Sequence, residues 1–345
     1  ILTHDNTAAV MENFKAIGAP DVHDPSQPVF AMDHDIQKKS ETNLSKYRDI
    51  KAFASTNGID YYPPGTGIGH QVMVSMGYVL PGSLVVASDS HANMYGALGA
   101  LGTPVVRTDA AGVWATGEFW WQIPRTVEVY LEGSLPKGAT GKDVIITLCG
   151  LYTSGEVLNA AVEFHGPGVA TLSMDDRMTV SNMTTEWGAL VGWFGYDEIT
   201  AHYLRGRAAM LEMLEIEGRL TGEMIAGWDA NPPLPDDGAG YAAEITFDLG
   251  RVSPHVAGPD TVGVMRSVSD FAKERKPVHK AYLLSCVNSR LDDLAQAADV
   301  LRDKHVADGV ELYMAAASES VQTEAEGKGI WADLVTAGAK PLPPG

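Results

Sequence analysis

GSLVVASDSH, residues 82–91, is the stretch on which the fold turns. Its first half is short, apolar and β-branched behind a glycine, the pattern of a buried strand. Its second half breaks into Ser-Asp-Ser-His, groups that no apolar core accepts without partners. A buried strand with a polar tip predicts an α/β sheet whose functional groups gather at the carboxyl edge of its strands. The same rhythm runs upstream. AAVMENFKAIG (8–18) has apolar residues at helical spacing, an Asp5-Asn6-Thr7 cap before it and Gly18 behind it. PVFAMDHD (28–35) is a strand opening into Asp33-His34-Asp35, and LSKYRDIKAFASTNG (44–58) is a helix stopped by Asn-Gly.

Downstream, TVEVYLEGSLP (126–136) alternates with period two and reads as a strand. KDVIITLCGLY (142–152) is a helix or a buried strand, with Cys149 a small core residue. RAAMLEMLEIEGRLTGEMIAG (207–227) reads as helix, NPPLPDDGAG (231–240) as loop and YAAEITFDL (241–249) as strand. AYLLS (281–285) is a strand leading into a polar turn with Cys286. Helix 289–304, strand 310–317 and helix 319–338 follow. This rhythm divides the chain into three α/β domains, at 1–125, 126–270 and 271–345.

The bulk numbers exclude several functions. A net charge of -19 over 345 residues lacks the clustered cations that track a phosphate backbone, so no nucleic-acid partner is expected. No apolar run reaches the roughly 18 residues of a membrane span. Two cysteines make no disulfide scaffold and fit a reducing compartment. ILTHDNTAAV opens without a starting Met or a targeting segment, and TAGAKPLPPG closes in a proline-rich turn, so a fragment of a longer protein is expected.

Chemistry concentrates at the polar tips: Asp33-His34-Asp35, Gly69-His70 and Asp89-Ser90-His91. One histidine at a strand end is ordinarily a hydrogen-bonded bystander. Several beside carboxylates fit acid–base work, a zinc or iron site, or a polar network tying loops together, and spacing does not choose among these. GTGIGHQV (65–72) lacks the spacing of a dinucleotide loop or P-loop and reads as a tight turn presenting His70. In VSNMTTEWGA (180–189), Asn182 and Glu186 share a helix face among apolar neighbours, where Glu186 needs a cationic partner.

THDNTA, DHD, GTGIGHQ, SDSH, EFHGPGV, SNMTTEWGA and SCVNSR, in that order, resemble the aconitase superfamily of iron–sulfur hydro-lyases over nearly the whole chain. MDHDIQKKSE, VVRTDAAGVWATGEFWWQIP and YLLSCVNSR are most similar to its fungal-type homoaconitase subfamily. The resemblance implies aconitase-like three-layer α/β/α domains 1 to 3, without the C-terminal swivel domain. It implies hydration and dehydration of a small tricarboxylate, cis-homoaconitate and homoisocitrate for the subfamily, in lysine biosynthesis and in the mitochondrial matrix. Aconitate hydratase and 3-isopropylmalate dehydratase of the same superfamily are the alternatives. So are a cluster-free degenerate homologue and an unrelated α/β hydrolase with one metal ion.

Residue by residue, Asp33 with His34, Asp89 with His70 and Glu186 with His91 match the family's three acid–histidine pairs. These protonate and orient the leaving hydroxyl or water. Ser90 matches a holder of a substrate carboxylate. His4 lies where aconitase proper has a substrate-binding glutamine. Asn182 matches an asparagine beside a 4Fe-4S cluster, Cys286 matches the first of its three cysteine ligands, and Asn288 shares the Cys286 turn. The other two cysteines, a CxxC pair, fall due where this chain reads PLPPG, so the cluster is expected in the intact enzyme and not in this chain alone. The expected partners are the tricarboxylate and the absent domain, the chain being otherwise a monomer.

Overall fold

A computed structural model describes all residues, 1–345. Parallel sheets carry it, one in each of the three expected ranges. The first sheet uses β1 (Leu2–Thr3), β2 (Val29–Ala31), β3 (Asp60–Tyr62), β4 (Leu84–Ala87) and β5 (Leu101–Pro104) in the order β3-β2-β1-β4-β5. Its helices are α1 (Thr7–Ile17), α2 (Glu41–Asn57), the short α3 (Gly69–Ser75) and α4 (Arg107–Thr116). A 3₁₀ turn, Ala92–Leu98, follows the β4 tip. Leu2 pairs with Val29 on one side and Ala87 on the other, so strand order reverses between β1 and β4. At such a switch point the loops leave in opposite directions and open a crevice at the carboxyl edge.

The second sheet has β6 (Thr126–Glu132), β7 (Ala161–His165), β8 (Val191–Phe194) and β9 (Ala243–Asp248), ordered β8-β7-β6-β9. α5 (Gly141–Leu151), α6 (Met174–Trp187), α7 (Glu198–Met213) and α8 (Gly222–Ala230) connect these strands. After a hairpin, β10 (His255–Ala257) with β11 (Met265–Ser267), comes the four-residue α9 (Val268–Phe271). The third sheet orders β12 (Lys280–Leu283), β13 (Glu311–Met314) and β14 (Lys340–Pro341) against α10 (Leu291–Leu301), α11 (Glu319–Gly327) and α12 (Ile330–Thr336).

Three expectations change. Helix 207–227 is broken: Glu215 turns left-handed (φ 57°), and α8 restarts where Thr221 accepts from the Met224 N–H at 3.2 Å. Helix 319–338 breaks at Gly329, whose φ of 79° a helix cannot hold. The Asn6 side chain does not cap α1 but donates to the Ser88 carbonyl at 2.7 Å, stitching the β1 tip to the β4 tip. KDVIITLCGLY resolves as helix, with Cys149 buried in the core of the second sheet.

Packing does not respect the boundary at 125. Ala201, Leu204, Leu211 and Ile225 of α7 and α8 join Leu2, Ala31 and Ala87 in one core. The first sheet is therefore covered on both faces: Phe14, Phe30, Ile50 and Trp114 fill the other side. The second sheet buries Val129, Phe164 and Phe247 against α5 and α6, while Tyr130, Glu244 and Thr246 on its other face stay exposed. One covering layer of the first sheet is thus supplied by α7 and α8, helices that belong in sequence to the second.

Candidate active site

The β1, β2 and β4 tips and the first turn of α3 converge at the switch point. A cleft of about 260 Å³ opens there, lined by Asp33, His34, His70, Asp89 and His91 on one side and by Cys286 on the other. Asp89 is its centre. His70 Nε2 stands 2.9 Å and His91 Nδ1 3.6 Å from Oδ1, while His34 Nε2 and His4 Nε2 lie 3.5 and 3.9 Å from Oδ2. The His91 backbone N–H donates to Oδ1 at 2.9 Å. Burial pushes the Asp89 carboxyl up, but His70 and His91 outweigh it and hold the group well below the usual carboxylate range.

The imidazoles differ in state. His70 lies between two polar groups, its Nε2 2.9 Å from Asp89 and its Nδ1 2.9 Å from the Tyr95 hydroxyl. Against the opposing effect of burial, Asp89, Cys286 and Glu186 push His91 up to about 12. Its Nε2 meets Glu186 Oε1 at 2.8 Å; Glu186 is exposed at this point of α6 and not, as expected, set among apolar neighbours. His34 is pushed up to about 9, first by its hydrogen bond to Asp33 at 2.5 Å. His4 moves the other way, lowered by burial and then by His34, on which its ring stacks at 3.8 Å. The three acid–histidine pairs thus stand in contact around one crevice.

The remaining residues divide. Ser90 Oγ lies 3.3 Å from His91 Nδ1 at the rim. Asn182 is fully buried, donates to the Cys286 carbonyl at 3.3 Å and leaves Oδ1 unpartnered. Asn288 turns away from the cleft: it donates to Asp293 at 3.0 Å and lines a separate acidic cavity with Asp175 and Asp292. Sharing the cysteine turn does not bring it to the site.

Two contributors were not named as site residues by the sequence, although Asp5 lies in the THDNTA motif. Asp5 accepts from the Asp33, His34 and Asp35 N–H groups at 2.9, 2.7 and 3.2 Å and from the Tyr47 hydroxyl, anchoring the whole β2 tip. Tyr95, in a 3₁₀ turn, orients His70. The GTGIGH glycines serve the backbone. At Gly67 a Cβ would stand 2.7 Å from the Ser318 Cβ, and this close approach lets Ile68 N–H reach the Ala317 carbonyl at 2.9 Å, seating the third unit beside His70.

His4, Asp5, Asp33 and His34 bring potential metal ligands within 4.8 Å of one another. The Asp5 oxygens are already taken by the β2 tip and the two rings are stacked face to face, so this group reads as a polar network. For a 4Fe-4S cluster, which thiolates hold, this chain offers Cys286 alone. Cys149 is 3% exposed in the second core, and burial pushes its thiol up to about 12. The residues present therefore do not complete the cluster's ligand set.

The model of the aconitase family (aconitate hydratase) matches residues 2–345. The chain belongs to the aconitase family. It is 51% identical over 359 residues to the mitochondrial homoaconitase of Mycosarcoma maydis, covering all of this chain and 48% of that protein. To that of Yarrowia lipolytica it is 52% identical over 344 residues, covering 50% of that protein. The chain thus spans about half the length of the curated relatives it matches. Among solved structures, aconitase X of Thermococcus kodakaraensis in its holo form superposes with a TM-score of 0.53 at 12% identity, over 99% of this chain and 77% of that one. At that identity the likeness speaks for the fold. No helix is long and apolar enough to cross a membrane.

Proposed function

We propose that this chain forms the acid–base half of a hydro-lyase that interconverts cis-homoaconitate and homoisocitrate, with Cys286 supplying one thiolate to a 4Fe-4S cluster in the intact enzyme. One observation carries the reading: three imidazole–carboxylate pairs surround a single cleft that a cysteine faces. Dehydration needs a proton delivered to a leaving hydroxyl and fixed donors for the substrate carboxylates. His34 and His91, both protonated at neutral pH, offer those donors, each seated on its carboxylate so that it is held in place. His70, held between Tyr95 and Asp89, supports the Asp89 carboxylate that faces the cleft. Ser90, beside His91, and His4, stacked on His34, are assigned to substrate binding. A mitochondrial location, carried over from the relatives' names, and lysine biosynthesis through the α-aminoadipate route, implied by the subfamily resemblance, belong to the same proposal.

The test compares hydration of cis-homoaconitate, cis-aconitate and isopropylmaleate by the longest protein the gene encodes after anaerobic reconstitution. Preference for cis-homoaconitate supports the reading, and preference for either competitor moves it to another branch of the family. Reconstitution of the 345-residue chain alone is expected to leave no stoichiometric cubane cluster, by visible absorbance and iron count; a full complement of four irons would sink that part.

A further inference from the structure

Arg290 closes the SCVNSR turn and has no place in the acid–base pairs. Its side chain is 3% exposed, a costly position for a permanent charge, and its guanidinium touches all three units. In the first unit, Nε lies 3.2 Å from Gln71 Oε1 and Nη2 3.6 Å from Met94 Sδ. In the second, Nη1 stands 3.3 Å from Thr179 Oγ1 on α6, and Asp175 lies 3.9 Å from Nε. In the third, Nη1 donates to the Val287 carbonyl at 2.8 Å and Nη2 to the Cys286 carbonyl at 3.4 Å. Thr179 and Asn182, both from α6, donate to the same two carbonyls at 3.0 and 3.3 Å.

The turn needs such holding. Ser285 and Ser289, which bracket Cys286, have φ of 139° and 67°, in the region that side chains avoid. Backbone of this kind persists only where its surroundings over-determine it. Two carbonyls fixed by donors from another unit and by an arginine packed between units meet that condition.

We propose that Arg290 is the positioning residue of the Cys286 turn: its fork pins the Cys286 and Val287 carbonyls from behind, so the thiol faces Asp89 and His91 only when the three units are seated together. The inference deepens the reading of the cleft and rests on it for the thiol's purpose; the contacts do not depend on it. Lysine cannot replace the fork, because one ammonium cannot reach acceptors in three directions.

The test is residue-resolved alkylation of the 345-residue chain by iodoacetamide, followed by peptide mass spectrometry, with buried Cys149 as the internal gauge of global unfolding. Arg290→Lys and Arg290→Met are expected to raise the Cys286 rate by about fivefold or more, the scale of one lost hydrogen bond or greater, while Cys149 stays as protected as in the parent. Thr179→Ala, which keeps the arginine and removes one donor to the Val287 carbonyl together with one acceptor of the guanidinium, is expected to raise it about twofold. An unchanged Cys286 rate in all three variants overturns the proposal. So does a parallel rise at both cysteines in all three, which would make Arg290 a support of the whole fold. Failure to find hydratase activity would end the functional reading and leave these rates untouched, so the two fail separately.

Discussion

The two walls of the cleft are built on opposite principles. The first-unit wall is nearly self-sufficient: its carboxylates and imidazoles come from strand tips of one sheet and the first turn of α3, and Asp5 ties the β2 tip from the neighbouring strand. The wall with Cys286 depends on its neighbours. Its turn is strained, and Asn182, Thr179 and the contacts of Arg290 hold it from other units. The difference teaches where each wall is vulnerable: the first through single charges, the second through packing between units.

The largest effect is expected at the centre of the self-sufficient wall. In the longest protein that turns over, Asp89→Asn should lower kcat by about 10²–10⁴-fold, the range of lost acid–base assistance, and shift KM far less. A kcat within about tenfold of the parent would break the contrast. Next comes the anchor. Asp5→Ala leaves the N–H groups of the β2 tip unmatched and should cost about 1–3 kcal/mol in urea unfolding, with Cys286 alkylation unaltered. A matching change at Cys286 would show that the walls are not independent.

A smaller effect concerns His34, whose folded value is raised. The stability from its pair with Asp33 is then fully present below the ordinary imidazole value and is lost as pH rises through about 9. Asp33→Asn should therefore lower Tm most near pH 6 and hardly at all above about pH 9, and the His34 ring should titrate near its ordinary value by NMR. A ring that still titrates near 9 in the variant would assign the shift to Asp89 instead. The smallest effect is Cys149→Ala, about 1 kcal/mol of lost packing, with the Cys286 rate unchanged. Coupling between the two cysteines would link the second core to the turn in a way that its separate packing does not.

Much of the first wall was legible. Strand-to-tip transitions such as LVVASDSH mark both the sheet and the edge where its chemistry lies, because a core rejects unpaired polar groups and the strand must end where they begin. The pairing of Glu186 with His91 followed from the family resemblance and not from burial, since Glu186 is exposed. Illegible were the roles of Asp5 and Arg290, which rest on a donor 28 positions and an acceptor 219 positions away. The break near Glu215 and the packing of α7 and α8 on the first sheet were also hidden, since apolar spacing shows that a helix face is buried and not against which sheet. Asn288 shows the reverse error: nearness in sequence to Cys286 places its backbone in the turn and says nothing of which way its side chain points.

By itself the sequence determined the α/β rhythm, the polar tips and the family, because these follow from local alternation and ordered motifs. Tertiary structure alone decided that four histidines share one carboxylate, that α7 and α8 serve the first sheet, and that a buried arginine holds the cysteine turn. Those outcomes depend on distances between segments far apart in the chain, which no local pattern encodes.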